Sequence, residues 1–424
     1  MFSISYNTLV VLLGTSLLGA GAGLVGSFTV LRSRALVGDV LAHAALPGIC
    51  LAVWIMSRRE LSFMLLGALA TGVVAVLLMT FLRRATRVKD DAVMGSVRSV
   101  FFCLGVVLMS LLQNRTVEGS KAGLESYILG KTAGMLASDV YLIAGVALAA
   151  LVCIALLYKE LRLASFDAGF ARVQGWPALL LDNVQMLLAA LMTVIGLPAV
   201  GAVLMAAMLI LPSVTMRFWT ERLGTLLVGS SLLGAAVGAL GTAASANLSL
   251  LPAGPIIILV GSIAFVSSLL FAPRRGLIAR GTALSRFRRR LLQQRLLRLL
   301  YEQAERPAVA TPITEESLPR FLNASLRRAR RTLYDGLLSG TLELRRTPAD
   351  VRLSLTHAGE RHAAEVTRGY RLWTAFLERY PDQSGSLTDL DLRLVDELLP
   401  DDTVSLLEDE LRASGRLPAA GVRA

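Results

Sequence analysis

Apolar residues come in long runs up to about Pro273 and in short, charge-interrupted stretches after it. A helix needs about 20 largely apolar residues to cross the hydrocarbon core. Runs of that order fall at 8–31, 36–56, 61–82, 92–112, 138–158, 178–196, 198–218, 224–244 and 252–272. The pattern predicts an all-α polytopic membrane bundle of eight or nine transmembrane helices over residues 1–272. The count turns on Gly196-Leu197-Pro198, which parts two short halves and reads either as a link between spans or as a re-entrant turn inside the bundle. The first run has no basic segment before it and no small-residue cleavage site ahead of polar sequence, so it is expected to remain as a span.

Past the last run the pattern changes. Residues 273–310 interleave leucines with Arg274, Arg275, Arg280, Arg286, Arg288, Arg289, Arg290, Arg295 and Arg298 and end in a Pro-containing linker. This reads as a basic amphipathic helix on anionic lipid, where each basic residue near the surface is worth about 1 kcal/mol. Residues 311–424 alternate differently: a helix opening at Ile313 to Ser317, one or two helices ending at Gly340, and a two-stranded hairpin across Pro348. Helices at 356–380 and 389–414 follow. Helices before a hairpin wing predict a small α+β winged-helix-like domain. Arg327, Arg328, Arg330 and Arg331 fall on the helix that would read phosphates; whether they meet nucleic acid, a protein partner or lipid stays open.

The net charge of +12 is therefore mostly a membrane signal. Arg83, Arg84, Arg87 and Lys89 follow the third run, Lys159 and Arg162 the fifth, Arg217 and Arg222 the seventh, and Arg274 and Arg275 the last. Nine crossings with the N-terminus outside place all of these, and the tail, in the cytoplasm. Arg58-Arg59 conflicts with that topology and keeps eight spans open. Cys50, Cys103 and Cys153 lie inside apolar runs with no metal-cluster spacing and read as lipid-side or core thiols.

Candidate chemistry concentrates in the second run, RALVGDVLAHAALPGICLAV. Asp39 and His43 are four apart and share one helix face. A carboxylate and an imidazole make half a coordination shell for a divalent first-row metal. The same pair could instead hydrogen-bond neighbouring helices together. Pro47 removes the amide that would bond the His43 carbonyl, and Gly38 and Gly48 admit close neighbours. Pro212, in a later run dense in Gly, Ala and Ser, permits a kink in a moving pathway helix. The only fragment of a phosphate-binding loop, Gly130-Lys131-Thr132, has Glu125 where the required glycine would stand, so no ATP hydrolysis by this chain is expected. The stretch 157–177 is amphipathic, with Leu161, Phe166 and Phe170 among charges, and reads as a solvated connector, an interfacial helix or an insert for a partner's groove.

The pieces LVGDVLAHAALPGICLA, YILGKTAGM, KELRLASFDAGFARVQG, VGAVLMAAMLILPSVT and LPAGPIIIL, in that order, resemble the permease subunits of zinc/manganese/iron ABC importers over residues 8–272. The resemblance implies a bacterial plasma (inner) membrane location and cytoplasmic ATPase subunits. It also implies an extracytoplasmic metal-binding protein and a second permease subunit, the same or paralogous. It maps Asp39 and His43 onto the motif that meets the ion, and Phe166, Asp167, Ala171 and Gly175 onto the segment that seats in the ATPase. No permanently bound cofactor is implied; Mn, Zn or Fe is cargo. The tail, through GLLSGTLELRR, LSLTHAGERHAAEVTRGYRLWTAFL and DELLPDD, resembles iron- and manganese-dependent repressors of the diphtheria-toxin-repressor type. It departs from them at Tyr370-Arg371 and Glu397-Leu398, where that family carries histidines. His357, His362 and Glu365 remain as a candidate patch.

The expected function is a non-enzymatic permease moving Mn²⁺, or else Zn²⁺ or Fe²⁺, by alternating access around Asp39/His43. Transport should fall as His43 protonates, since the ligands must be deprotonated. Two other readings are a permease for a metal chelate or cobalamin-like solute and a membrane-tethered, metal-responsive transcription regulator.

Overall fold

The computed structural model describes residues 6–56, 60–114, 130–247, 252–273, 275–305, 313–346, 351–380 and 399–418. They form two compact units, 1–280 and 281–424. The first contains α1 (Tyr6–Leu31), α2 (Val37–Met56), α3 (Leu61–Ala85), α4 (Asp90–Asn114) and α5 (Ala137–Leu156). There follow the short α6 (Tyr158–Phe166) and α7 (Ala168–Val173), then α8 (Ala178–Val200), α9 (Ala202–Arg217), α10 (Leu223–Asn247) and α11 (Ala253–Phe271). Eight of these are long and apolar enough to span a membrane. The exception among the long apolar helices is α9: its 16 residues rise only about 24 Å at 1.5 Å per residue, short of the roughly 30 Å core.

The expected break at Gly196-Leu197-Pro198 lies elsewhere. Helix α8 continues through Pro198 to Val200, and the chain turns at Gly201, whose φ is +83°. Proline does not end the helix because only one ladder bond is lost, whereas the turn needs a left-handed backbone that glycine adopts without a Cβ clash. Residues 130–131 pack into that turn: the Lys131 amide donates to the Pro198 carbonyl at 3.2 Å, and Gly130, at φ +75°, lies directly against Val200.

Small residues set the packing of the first unit. Thr15, Gly19 and Gly23 of α1 face Gly238, Gly234 and Ser230 of α10, with each glycine's Cα against the opposite backbone carbonyl. Thr15 Oγ1 also meets Thr242 Oγ1 at 2.8 Å. Within lipid, tail–tail contact gives helices no hydrophobic reason to pair, so dispersion and interhelical hydrogen bonds at such close approach carry the association. Helices α2 and α3 cross in the same way at Gly48 and Gly67, each directly against the other's carbonyl.

The second unit holds most of α12 (Leu277–Glu305), then α13 (Leu318–Leu322), α14 (Leu326–Leu338), β1 (Leu342–Arg346), β2 (Val351–Leu355), α15 (His357–Arg379) and α16 (Asp401–Ala413). β1 and β2 pair antiparallel, with Leu344 opposite Leu353. Residues 313–317 do not open a helix as expected. The Ile313 carbonyl accepts from the Leu353 amide at 3.2 Å, and Thr314 bridges to Arg352. Thr314 and Ser317 satisfy each other's backbone groups, which holds a turn in competition with a helical start. The core gathers Leu296, Leu300, Leu318, Leu322, Leu333, Leu342 and Leu353. Among the described residues the last helix begins at Asp401, with Leu399 and Pro400 before it not helical; residues 381–398, with the expected helix start at 389 and Glu397-Leu398, lie outside the described residues.

Candidate metal site

Asp39 occupies the first turn of α2 and His43 the next. His43 Nε2 lies 3.3 Å from Asp39 Oδ1, and the two side chains remain 26% and 28% exposed in the single chain. A residue the sequence reading passed over completes the cluster: Arg98 of α4 donates from Nη1 to Asp39 Oδ2 at 2.7 Å. Four residues further along α4, the Phe102 ring stands edge-on to His43, 5.1 Å between centroids at 70°. The pair on α2 thus faces a matching i, i+4 pair on α4, Arg98 on Asp39 and Phe102 on His43. The signal was present in the sequence, since Arg98 is an arginine inside an apolar run of spanning length. His43 Nδ1 is buried without a hydrogen-bond partner, so its lone pair or proton is uncommitted. Among the described residues no three His, Cys, Asp or Glu side chains gather as a metal cluster. One chain therefore offers a carboxylate and an imidazole, half a shell for a borderline divalent ion.

The backbone around the pair is held on both sides. Pro47 sits inside α2, buried, one turn beyond His43. Gly105 of α4 brings that helix against Leu46 and Pro47, where a Cβ would come within 2.8 Å of the Leu46 side chain, and Gly48 seats α2 on α3. On the third side, Gly38 lies under Leu209 of α9. Pro212, also in α9, is buried within a continuous helix.

At the end where α1 and α3 finish and α2, α4 and α8 begin, three arginines surround two carboxylates. Arg32 and Arg34 both bond Asp182 of α8; Arg83 stands 3.9 Å from Asp182 and 3.6 Å from Asp90. Burial pulls the Arg32 guanidinium below its usual range, against the neighbouring Asp182 charge that pulls it up. Arg32 Nη2 also donates to the Ala164 carbonyl of α6 at 2.7 Å, which ties this knot to the amphipathic stretch.

That stretch is two short helices with an exposed apolar side. Asp167 caps α7, its Oδ1 accepting from the Phe170 amide at 2.8 Å. Ala171 is buried beneath, and Gly175 turns the chain at φ +83°. Phe166, Phe170, Val173 and Trp176 are exposed, an apolar patch of the kind a partner covers.

Other sequence candidates separate. Arg58-Arg59 and residues 115–129, with Glu125, lie outside the described residues. Thr132 starts a single 3-10 turn, Thr132–Gly134. Arg327, Arg328, Arg330 and Arg331 are exposed on α14. The patch of His357, His362 and Glu365 does not assemble: His357 and Glu365 are exposed on α15, and no metal cluster forms there among the described residues. Arg371 is taken up by Glu305 at 2.5 Å and by the Arg416 carbonyl at 2.6 Å, and Tyr370 lies under the Arg298 guanidinium.

Against known proteins, the chain is 38% identical over 320 residues to the manganese transport system membrane protein MntC of Bacillus subtilis, covering 76% of this chain and 73% of that one. It is 38% identical over 268 residues to the zinc transport system membrane protein TroC of Treponema pallidum, covering 63% and 90%. Among solved structures it resembles PsaBC from Streptococcus pneumoniae in complex with Fab, with a TM-score of 0.55 and 28% identity over 64% of this chain and 94% of that one. The model of the ABC 3 transport family, ABC-3, matches residues 5–272, the whole apolar bundle with its Asp39–His43 helix, and the chain belongs to that family.

Proposed function

We propose that this chain is the permease of an ATP-driven importer of a divalent transition-metal ion, with Asp39 and His43 meeting the ion in its path. The observation that carries the reading is the acid–imidazole pair inside a transmembrane helix, 3.3 Å apart and a quarter exposed. Ionisable groups within a spanning segment are expensive and face a pathway or a protein partner. Arg98 is 49% exposed, which lipid would not tolerate, so a second permease subunit or a water-filled path covers this face. Two copies would bring two Asp–His pairs together as a four-ligand O/N shell. Relatives named for manganese and for zinc support a transition-metal cargo, and we favour manganese from the likeness of the tail to manganese-dependent regulators.

The exposed Phe166, Phe170 and Trp176 side would seat in an ATPase subunit. Arg32 would pass its movement to the end of α1, and an extracytoplasmic binding protein would deliver the ion. With the N-terminus outside, the 281–424 unit lies in the cytoplasm of a bacterial plasma membrane if the short α9 counts as a ninth crossing beside the eight full-length spans. There α14 followed by the β1–β2 hairpin reads as a winged-helix-like module. Its groove of about 560 Å³, lined by Arg286, Arg288, Arg289, Arg328 and Arg331, suits phosphate groups.

The test is metal uptake in cells carrying the cognate ATPase and binding protein, for the intact chain, Asp39→Ala and His43→Ala. Loss of uptake by both variants at normal membrane levels supports the site, and the ion lost identifies the cargo. Retained uptake removes it.

A further inference from the structure

The Asp39 carboxylate is already occupied. Oδ1 faces His43 Nε2 and Oδ2 accepts from Arg98. Asp39 is the ion-pair partner of Arg98 among the described residues. The charges of Asp39 and Arg98 cancel, so a divalent ion arriving at this site meets no net attraction from the pair and must share the carboxylate with a guanidinium already 2.7 Å from Oδ2. A metal ion and a guanidinium within one carboxylate's reach repel each other strongly in a medium of low dielectric. Arg98 stands on the neighbouring helix, on a long and half-exposed side chain, so it can leave without unpacking the core.

We propose that Arg98 is a tethered cation that holds the ion's place on Asp39 and must be displaced for metal to bind. The inference rests on the reading of Asp39 and His43 as the metal site. It assigns Arg98 two effects. The empty site stays neutral and closed across α2 and α4, and the returning guanidinium competes with the ion at release. Affinity is thereby lowered in favour of turnover, since only interactions that differ between the states of a transport cycle drive it. A bare Asp–His pair would bind more tightly and let go more slowly.

The experiment is Mn²⁺ binding to the full-length chain in lipid nanodiscs, with manganese chloride alone as the probe and free ion read by electron paramagnetic resonance. Arg98→Gln should bind on the order of tenfold more tightly than the intact chain, the loss of a charge-assisted competitor. Arg98→Lys, which keeps the charge, should stay close to the intact chain. Methylguanidinium should reverse the gain of Arg98→Gln and leave the intact chain unaffected. Arg98→Met, which keeps the apolar stem, takes the place of Arg98→Gln if that variant does not fold. Unchanged or weaker binding by a folded Arg98 variant, with binding abolished in Asp39→Ala, overturns the proposal and leaves the metal site standing, with Arg98 only positioning the acid. Binding by Asp39→Ala equal to the intact chain overturns both.

Discussion

Asp182 is the residue on which the charged end of the bundle depends. Its side chain is 11% exposed, and those of Arg32, Arg34 and Arg83 are 12%, 15% and 10% exposed. Replacing Asp182 with alanine leaves three buried guanidiniums with only Asp90, itself 47% exposed, as counter-charge. Removing one partner of a buried ion pair costs about 3–5 kcal/mol, because the charge left behind has no compensation. Arg83 makes the comparison sharp: none of its three guanidinium nitrogens has a hydrogen-bond partner. Arg83→Met gives up a desolvated charge and two long ion contacts, 3.6 Å to the half-exposed Asp90 and 3.9 Å to Asp182, which keeps Arg32 and Arg34; it should change stability by no more than about 1 kcal/mol or raise it. In the double variant, Asp182→Ala with Arg83→Met, one of the abandoned charges is gone and part of the loss should return. The assay is unfolding in mild-detergent micelles titrated with dodecyl sulfate, followed by tryptophan fluorescence. If Asp182→Ala unfolds within about 1 kcal/mol of the intact chain, the three arginines do not depend on Asp182; if Arg83→Met costs as much as Asp182→Ala, Arg83 is a fully paired member of the knot and not its dispensable charge.

Two further expectations follow from packing and exposure. Gly48→Val places a branched side chain on the Gly67 carbonyl and Thr71; it should force α2 from α3 at a cost of about 1–3 kcal/mol, read in the same unfolding titration, and lower metal uptake. Phe166→Ser with Phe170→Ser removes apolar side chains that are 62% and 50% exposed, so melting should change little while co-purification of the ATPase falls; an ATPase retained at the intact level would remove the docking role of this side.

The eight spanning helices were legible in the sequence because lipid imposes one strict requirement. Every backbone polar group must be satisfied within the segment, so a run of about 20 apolar residues can only be a helix. Asp39 and His43 were legible for a related reason, since a spacing of four fixes a shared face whatever surrounds it. The α8–α9 turn was misplaced because propensity marks Pro198, while the deciding quantity was φ at Gly201 and the carbonyl of Pro198 that Lys131 reaches from a distant segment. The start at Ile313 was misread as helix because its partner, Leu353, lies across the hairpin and leaves no local trace.

What the sequence determined by itself was the apolar period, the position of the acid–imidazole pair and the place where the long apolar runs end, all properties of neighbours along the chain. Only the tertiary structure decided that Arg98 closes on Asp39, that Arg32, Arg34 and Arg83 share Asp182, and that Gly19 meets Gly234 backbone to backbone. Those pairings join residues dozens to hundreds of positions apart. Their energies come from proximity in a medium of low dielectric, a quantity that exists only once the helices are assembled.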